Sequence, residues 1–225
     1  MEGGIVHDEQ FKNYDINTPI RVLEVFNSID GEQPRMGEVT TFVRLAGCNL
    51  KCDYCDTKHS QDLNSGELTT VIELVKKIQK TRINNNITLT GGEPLLQMEA
   101  VEELCHRLDT LGCDINIETN GTIKPTLDLL TSVKCMIYDY KAEKLFNVTE
   151  MLRVQDVIKF VIRTEDQFDR VMLMAKQLSY NKIYVGCVQG EENVLAEKDL
   201  INLILTARLG NLHFNTQLHK KIEVA

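Results

Sequence analysis

Short runs of β-branched and aromatic residues alternate along the chain with longer segments of helical periodicity. In the segment 70–80, for example, Val71, Ile72, Val75 and Ile78 recur at the spacing of one helical face. This alternation predicts an α/β protein in which helices separate most strands. The predicted strands are 20–29, 40–46, 86–90, 114–118, 135–140, 157–162, 182–188 and 213–218, and the predicted helices are 70–80, 98–111, 167–180 and 198–208.

Repeated strand–helix–strand units predict parallel strands joined by right-handed crossovers. A closed barrel of this type needs about eight units, and the pattern provides only about six. We therefore expect an incomplete, open (β/α)6-type partial TIM barrel, formed by a single domain over residues 1–225.

Polar or glycine-rich clusters directly follow four of the predicted strands. In parallel α/β sheets, functional sites lie at the carboxyl ends of the strands. We therefore expect these four clusters to share one rim of the barrel. They are the cysteine-rich segment after strand 40–46, Gly91-Gly92-Glu93, Glu118-Thr119-Asn120-Gly121 and Asp139-Tyr140-Lys141.

The composition is that of an ordinary globular protein, with 43% hydrophobic and 26% charged residues. No apolar run approaches the length of a membrane span, and the polar, acid-containing start does not suit a signal peptide. The net charge of −8 argues against a nucleic-acid backbone as the main partner. We expect a cytoplasmic protein with neither a nucleic acid nor a membrane as its partner.

Three of the seven cysteines, Cys48, Cys52 and Cys55, lie within eight residues. A disulfide framework would be shorter and evenly paired, so the clustered thiols indicate metal or redox chemistry. Four thiolates normally hold a cubane iron–sulfur cluster. The spacing C-x3-C-x2-C supplies three, which leaves one iron free for a ligand that is not protein. Cys105, Cys113, Cys135 and Cys187 are scattered, as is typical of small core residues.

The cysteines alone allow two other interpretations. With His59, the run reads C-x3-C-x2-C-x3-H, which suits a closed Cys3His zinc site. The cysteines could also belong to a ferredoxin-type electron carrier, although the missing fourth cysteine disfavours that class.

Several neighbouring residues have the chemistry of a binding site and also an ordinary structural interpretation. Gly91-Gly92 can offer backbone N–H donors to a ligand, or form a simple tight turn. Glu93 can accept a hydrogen bond from a ligand amine, or be an exposed acid. Arg44 can direct a bidentate fork at a carboxylate, or be a surface arginine. Thr57 offers a hard oxygen to Mg²⁺, or caps a loop.

The cysteine motif after a strand, the Gly91-Gly92-Glu93-Pro94 turn and the Glu118-Thr119-Asn120-Gly121 turn resemble the radical S-adenosylmethionine (SAM) superfamily. The resemblance implies a [4Fe-4S] cluster on Cys48, Cys52 and Cys55. The open iron would bind the amino and carboxylate groups of SAM, whose reductive cleavage gives a 5′-deoxyadenosyl radical. The SAM-binding residues that the resemblance implies are Tyr54, Cys55, Asp56, Gly91, Gly92, Glu93, Glu118, Asn120, Asp139, Tyr140, Lys141, Gly186, Cys187, Val188 and Gln189.

A narrower resemblance is to the 7-carboxy-7-deazaguanine synthase family. Four motifs carry it: Ser28-Ile29-Asp30-Gly31-Glu32, Phe42-Val43-Arg44, Cys55-Asp56-Thr57 and Gln217-Leu218-His219-Lys220. They are similar to that family's substrate-binding turn, carboxylate-gripping arginine, Mg²⁺-binding threonine and closing motif. The chain departs from the family at Gly31-Glu32-Gln33, where Gly-Glu-Gly is usual.

This resemblance implies conversion of 6-carboxy-5,6,7,8-tetrahydropterin to 7-carboxy-7-deazaguanine, by ring contraction with loss of ammonia and regeneration of SAM. It also implies a homodimer, a flavodoxin-type reductant, and Mg²⁺ on Thr57. The implied substrate-binding residues are Ile29, Asp30, Gly31, Glu32, Arg44, Thr90, His219 and Ala225. The alternatives are a glycyl-radical-enzyme activase and, outside the enzymes, a zinc-stabilised interaction module.

Overall fold

The computed structural model of the protein describes residues 17–32, 34–141 and 151–224. Within them, nine strands form one sheet in the order β3-β1-β2-β4-β5-β6-β7-β8-β9. The strands are β1 (Pro19–Ile29), β2 (Val39–Leu45), β3 (Glu67–Thr70), β4 (Asn86–Gly91), β5 (Asp114–Thr119), β6 (Cys135–Asp139), β7 (Val157–Ile162), β8 (Ile183–Cys187) and β9 (Leu212–Phe214). The helices are α1 (Val71–Thr81), α2 (Met98–Thr110), α3 (Leu127–Ser132), α4 (Phe168–Gln177), α5 (Glu197–Ala207) and α6 (Leu218–Lys221).

The expected open, largely parallel sheet is confirmed. All strand pairs from β2 through β4 to β9 are parallel, and the sheet begins at β3 and ends at β9 without closing. The expectation was wrong for β1, which pairs antiparallel with both β2 and β3. A parallel crossover needs about a dozen residues or more, and only residues 30–38 separate β1 from β2.

Alternate residues of each strand face opposite sides of the sheet, as strand geometry requires. Met136 and Tyr138 of β6 belong to the main core that the helices cover. Cys135 and Ile137 point the other way and pack with Val157 and Tyr184 in a smaller cluster on the concave face. Lys159 and Val161 of β7 share the face of Val157, which places them inside the open barrel.

Three short elements, β3, α3 and α6, escaped the sequence pattern, and the last strand was predicted too long. β3 has four residues and no buried side chain, and α3 has only six residues, so neither offers enough periodicity to detect. The predicted strand 213–218 ends at Phe214, and α6 begins at Leu218. No helix in residues 17–32, 34–141 and 151–224 is long and apolar enough to cross a membrane.

Candidate active site

A cavity of about 400 Å³ lies at the carboxyl ends of the parallel strands. All four polar or glycine-rich clusters contribute to its wall, so the expected common rim is confirmed. The predicted site residues that line it are Ile29, Asp30, Gly31, Glu32, Arg44, Cys48, Cys52, Tyr54, Cys55, Asp56, Thr57, Thr90, Gly91, Gly92, Glu118, Asn120, Asp139, Lys141, Gly186, Cys187, Val188, Gln189 and His219. Ala225 lies outside the described residues.

The cysteine loop (residues 46–61) is fixed to the sheet by backbone hydrogen bonds. Gly47 N–H donates to the Ser60 carbonyl at 2.8 Å, and its own carbonyl accepts from Glu93 N–H at 2.7 Å. A Cβ atom on Gly92 would lie 2.1 Å from the Gly47 carbonyl oxygen. The glycine at position 92 therefore serves the close approach of two backbone segments, and it holds the cysteine loop against the end of β4.

All three thiols of the loop are half-buried on the cavity wall. The Sγ of Cys48 accepts from Leu50 N–H at 3.5 Å and from Asn120 Nδ2 at 3.9 Å. Burial raises the pKa of the Cys48 and Cys52 thiols, and nearby Lys141 opposes that rise for Cys52. Three such thiols with N–H donors at one sulfur fit an iron–sulfur cluster, whose properties depend on such hydrogen bonds.

The four residues of the possible Cys3His zinc site do not meet on the cavity wall. In the described part of the chain, no three His, Cys, Asp or Glu side chains are arranged to hold a single metal ion. His59 is exposed in a short 3₁₀ turn and does not line the cavity, whereas the three cysteines do.

Glu93 lies behind the cavity wall, fully buried. Its carboxylate accepts hydrogen bonds from Leu95 N–H at 3.0 Å, Thr119 Oγ1 at 2.8 Å and Asn120 N–H at 2.7 Å. Burial raises the pKa of Glu93, and these three donors counteract the rise. The structure thus does not bring Glu93 to the cavity as a direct acceptor for a ligand amine; the side chain instead fixes the Asn120 turn.

Tyr140 is the other predicted residue that does not line the cavity. Its ring stacks on Phe160 with a centroid distance of 4.6 Å and packs against the main core. Its neighbours Asp139 and Lys141 do line the cavity and form an ion pair at 2.8 Å.

Four charged side chains, Glu32, Glu118, Asp139 and Lys159, form the charged floor of the cavity. Lys159 forms an ion pair with Glu32 and lies 3.7 Å from Asp139 Oδ2. Burial raises the pKa of Glu118, although Lys159 and a 2.6 Å hydrogen bond from Thr90 Oγ1 act against the rise. Burial would also raise the pKa of Asp139, but Lys141 and Lys159 hold it below its ordinary value.

Arg44 of β2 lines the cavity beside two stacked rings. The rings of Phe26 and Phe42 lie 5.3 Å apart, and the Arg44 guanidinium is 5.6 Å from the Phe26 centroid. Arg44 Nε donates to Glu24 Oε1 at 2.6 Å. The Glu24 side chain is 47% exposed, and such pairs contribute only about 0–1 kcal/mol. A carboxylate ligand can therefore replace Glu24 at little cost.

The segment 215–224 closes one side of the cavity. Leu218 N–H donates to the Gly31 carbonyl at 2.9 Å, Gln217 Nε2 to Glu32 Oε1 at 2.9 Å, and Lys220 Nζ to Asp56 Oδ2 at 2.6 Å. His219 packs so closely on Gly31 that a Cβ there would lie 1.8 Å from His219 Nδ1. The segment therefore ties the turn after β1 to the cysteine loop.

Sequence reasoning assigned no role to several residues that line the cavity. They are Phe26, Leu50, Lys159, Val161, Asn215 and Thr216, among others. For Lys159 a signal existed, because a single lysine interrupts the otherwise apolar strand Val157–Ile162. For Phe26 no such signal exists, since it fits an ordinary strand core equally well.

Comparison with known proteins gives a consistent picture. The family model described as the radical SAM superfamily matches residues 42–204. A 7-carboxy-7-deazaguanine synthase of Methanospirillum hungatei is 33% identical over 90% of this chain and 85% of its own length. One of Clostridium acetobutylicum is 32% identical over 90% of this chain and 95% of its own length. The match to one of Hyperthermus butylicus, at 45% identity, covers 48% of this chain and 46% of that relative.

Solved structures share the fold at low sequence identity. QueE from Escherichia coli superposes with a TM-score of 0.69 at 20% identity, over 89% of this chain and 95% of that one. SuiB from Streptococcus suis, bound to S-adenosylmethionine, has a TM-score of 0.51 at 13% identity, over 75% of this chain and 44% of that one.

Proposed function

The chain belongs to the radical SAM superfamily and, within it, to the 7-carboxy-7-deazaguanine synthases, and we propose that it converts 6-carboxy-5,6,7,8-tetrahydropterin to 7-carboxy-7-deazaguanine with loss of ammonia. The main support for this reaction is that Arg44, Glu32, Thr90 and His219 line the same cavity as the three thiols. That cavity supplies a carboxylate partner and hydrogen-bonding groups for a small polar heterocycle. The family match replaces the activase and zinc-module alternatives.

Cys48, Cys52 and Cys55 would hold the [4Fe-4S] cluster. When bound, the reduced cluster and SAM supply the radical chemistry that removes a hydrogen atom from the substrate. Asn120 and the wall 186–189 would hold SAM against the cluster, with Tyr54, Asp139 and Lys141 on the adjoining side. Lys141 Nζ lies 4.8 Å from the centroid of the Tyr54 ring, and this cation–π contact orders both side chains.

On the substrate side, Arg44 would exchange Glu24 for the substrate carboxylate, which fits its planar fork. Burial lowers the pKa of His219, although Glu32 acts against the decrease. The imidazole therefore stays neutral near pH 7, with one N–H donor and one acceptor nitrogen. The segment 215–224 would exclude water from the cavity and so protect the reacting substrate from side reactions.

The proposed reaction is tested directly by anaerobic reconstitution and incubation with SAM, a reductant, Mg²⁺ and 6-carboxytetrahydropterin. We expect 7-carboxy-7-deazaguanine and ammonia in equal amounts, with SAM not consumed. A protein with full iron and sulfide that cleaves SAM but leaves this substrate unchanged would contradict the proposal.

We also propose that Mg²⁺ binds at Thr57. Its Oγ1 lies 3.9 Å from Cys55 Sγ and 3.3 Å from Asp56 Oδ1, so the hydroxyl stands between the thiol and a carboxylate. Oxygen ligands of this kind suit Mg²⁺, which keeps water and substrate for the rest of its shell.

Thr57→Ala should weaken Mg²⁺ binding by about 10- to 100-fold, the usual range for disturbing a metal's protein shell, while the iron content stays unchanged. The measurement is turnover as a function of Mg²⁺ concentration. Thr110→Ala, on the exposed end of α2, serves as the control. An unchanged Mg²⁺ titration of the Thr57 variant would remove this residue from the site.

The proposal further includes a homodimer, a flavodoxin-type reductant and a cytoplasmic location, which rest on the family resemblance. The single sheet supports one domain over the chain. The net charge of −8 supports a small molecule as the ligand, in preference to a nucleic acid or a membrane.

A further inference from the structure

Lys159 is a largely buried ammonium in the cavity to which the proposed function assigns no task. It lies in the middle of β7, on the concave face of the sheet, and its side chain is only 12% exposed. Burial disfavours a charged lysine unless partners compensate for the lost hydration. Solubility, the usual role of a surface lysine, therefore does not explain a lysine at this position.

The compensation comes from carboxylates on three separate elements. Glu32 follows β1, Glu118 belongs to β5 and Asp139 ends β6. Burial alone would lower the pKa of Lys159, but these three carboxylates raise it well above the ordinary lysine value. Lys159 therefore stays charged and draws together side chains that the sequence separates widely.

Acids outnumber bases around this ammonium. Three carboxylates, those of Glu32, Glu118 and Asp139, face the two ammonium groups of Lys141 and Lys159, an excess of one carboxylate. Burial, followed by the neighbouring Glu118, raises the pKa of Asp30 to about 7.

Two observations show that carboxylate oxygens of the charged floor can accept further hydrogen bonds. Asp139 Oδ1 is buried and accepts no hydrogen bond from the described residues. Glu118 shows one bond, from Thr90 to Oε2, and a carboxylate can accept several. An acceptor-rich surface of this kind is complementary to a ligand edge that carries several N–H donors.

We propose that Lys159 is a positioning residue of the substrate site: its ammonium, which pairs with Glu32 and lies 3.7 Å from Asp139 Oδ2, fixes the charged floor so that its carboxylates receive the N–H donors of a guanidine-like heterocycle edge. This inference rests on the proposed function, because a pterin ring carries such an edge. Two parallel N–H donors match the two oxygens of a carboxylate. Arg44 would bind the carboxylate of the same molecule, so the two ends of the ligand would meet opposite charges.

The decisive variant is Lys159→Met, which removes the ammonium and keeps most of the side-chain length. We expect KM to rise by about 10- to 100-fold, the range for losing hydrogen bonds to a charged group, with a smaller change in kcat. Lys159→Arg should recover part of the loss because it keeps the charge. Lys134→Met is the matched control, since Lys134 also pairs with an aspartate but is 57% exposed and outside the cavity.

The pH profile separates positioning from a merely structural role. The charged and titratable groups that face Lys159 are Glu32, Glu118, Asp139, Lys141, Asp56 and His219. Removing a cation from this set raises the pKa of the carboxyl groups. The acid limb of kcat/KM should therefore move to higher pH in Lys159→Met and stay in place in Lys159→Arg. A variant that is only partly folded would lose kcat equally at every pH.

Binding of 6-carboxypterin, an oxidised and unreactive analogue, gives a readout that does not depend on turnover. Its fluorescence should report about 10- to 100-fold weaker binding to Lys159→Met than to the reconstituted wild type. If the wild type binds this probe without converting the substrate, the proposed reaction fails while the role of Lys159 can still be judged from binding.

If Lys159→Met does not accumulate as folded protein, Lys159→Gln carries the same test, because it keeps a donor on the same face without the charge. Unchanged KM, probe affinity and pH profile in either folded variant would overturn the inference.

Discussion

Replacing Cys48, Cys52 or Cys55 singly with alanine should remove the iron–sulfur cluster and abolish turnover. The three thiols share one loop on the cavity wall, and each would supply one of only three protein ligands to the cluster. Losing one leaves two, which is too few to retain a cluster that already has an open iron. Iron and sulfide content after anaerobic reconstitution, visible absorbance and SAM cleavage measure the effect.

Cys105→Ala is the matched control for these variants. Cys105 is a free thiol like the others, but it is fully buried in α2 and packs in the core between sheet and helices. Its replacement should leave a small cavity and a full cluster. Any one of the three loop variants that kept full iron, sulfide and activity would show that the cluster is held differently.

The residues on the rim of the barrel were predictable because the strand topology alone brings them together. Once strands and helices alternate, the ends of parallel strands must meet at one edge. The cysteine loop, the Gly91 turn and the Glu118 turn follow such ends directly, so their meeting needs no knowledge of side-chain contacts. The antiparallel start of the sheet escaped the same reasoning, since it depends on the short connection 30–38 and not on the hydrophobic pattern.

The direction of individual side chains was harder to predict. Glu93 stands in the expected turn, yet its carboxylate points behind the wall to Thr119 and Asn120. Nothing in the sequence distinguishes an acid that binds a ligand from one that fixes the neighbouring turn. Lys159 presents the opposite case. Its position within an apolar strand is unusual, but the three carboxylates that explain it come from distant parts of the chain.

Residues 213–218 were predicted as the last strand of the sheet. In the structure the strand stops at Phe214, and the following residues bond to Gly31, Glu32 and Asp56 instead of continuing along the sheet. Tertiary hydrogen bonds thus override a local preference that is weak over so few residues.

Deleting the residues after Leu218 should collapse substrate turnover and leave the cluster intact. The deletion keeps the Leu218 N–H bond to the Gly31 carbonyl, so the turn after β1 retains its anchor. It removes the contact of His219 with Gly31. It also removes Lys220, whose ammonium does most to lower the pKa of Asp56 against the opposing effect of burial. The cavity would then open to water beside the cysteine loop, on the side where the substrate binds.

Two activities, measured on the same preparation, separate closure from general damage. SAM cleavage without substrate needs only the cluster and its reductant and should persist, whereas product formation should fall and KM should rise. His219→Ala should reproduce part of the effect. His213→Ala is its control, because that imidazole lies tilted against the Tyr184 ring, at a centroid distance of 5.0 Å, and does not line the cavity. If the shortened protein formed product with an unchanged KM and rate, water exclusion and substrate binding would have to come from the barrel wall alone. Arg44 and the charged floor would then account for the whole of substrate recognition.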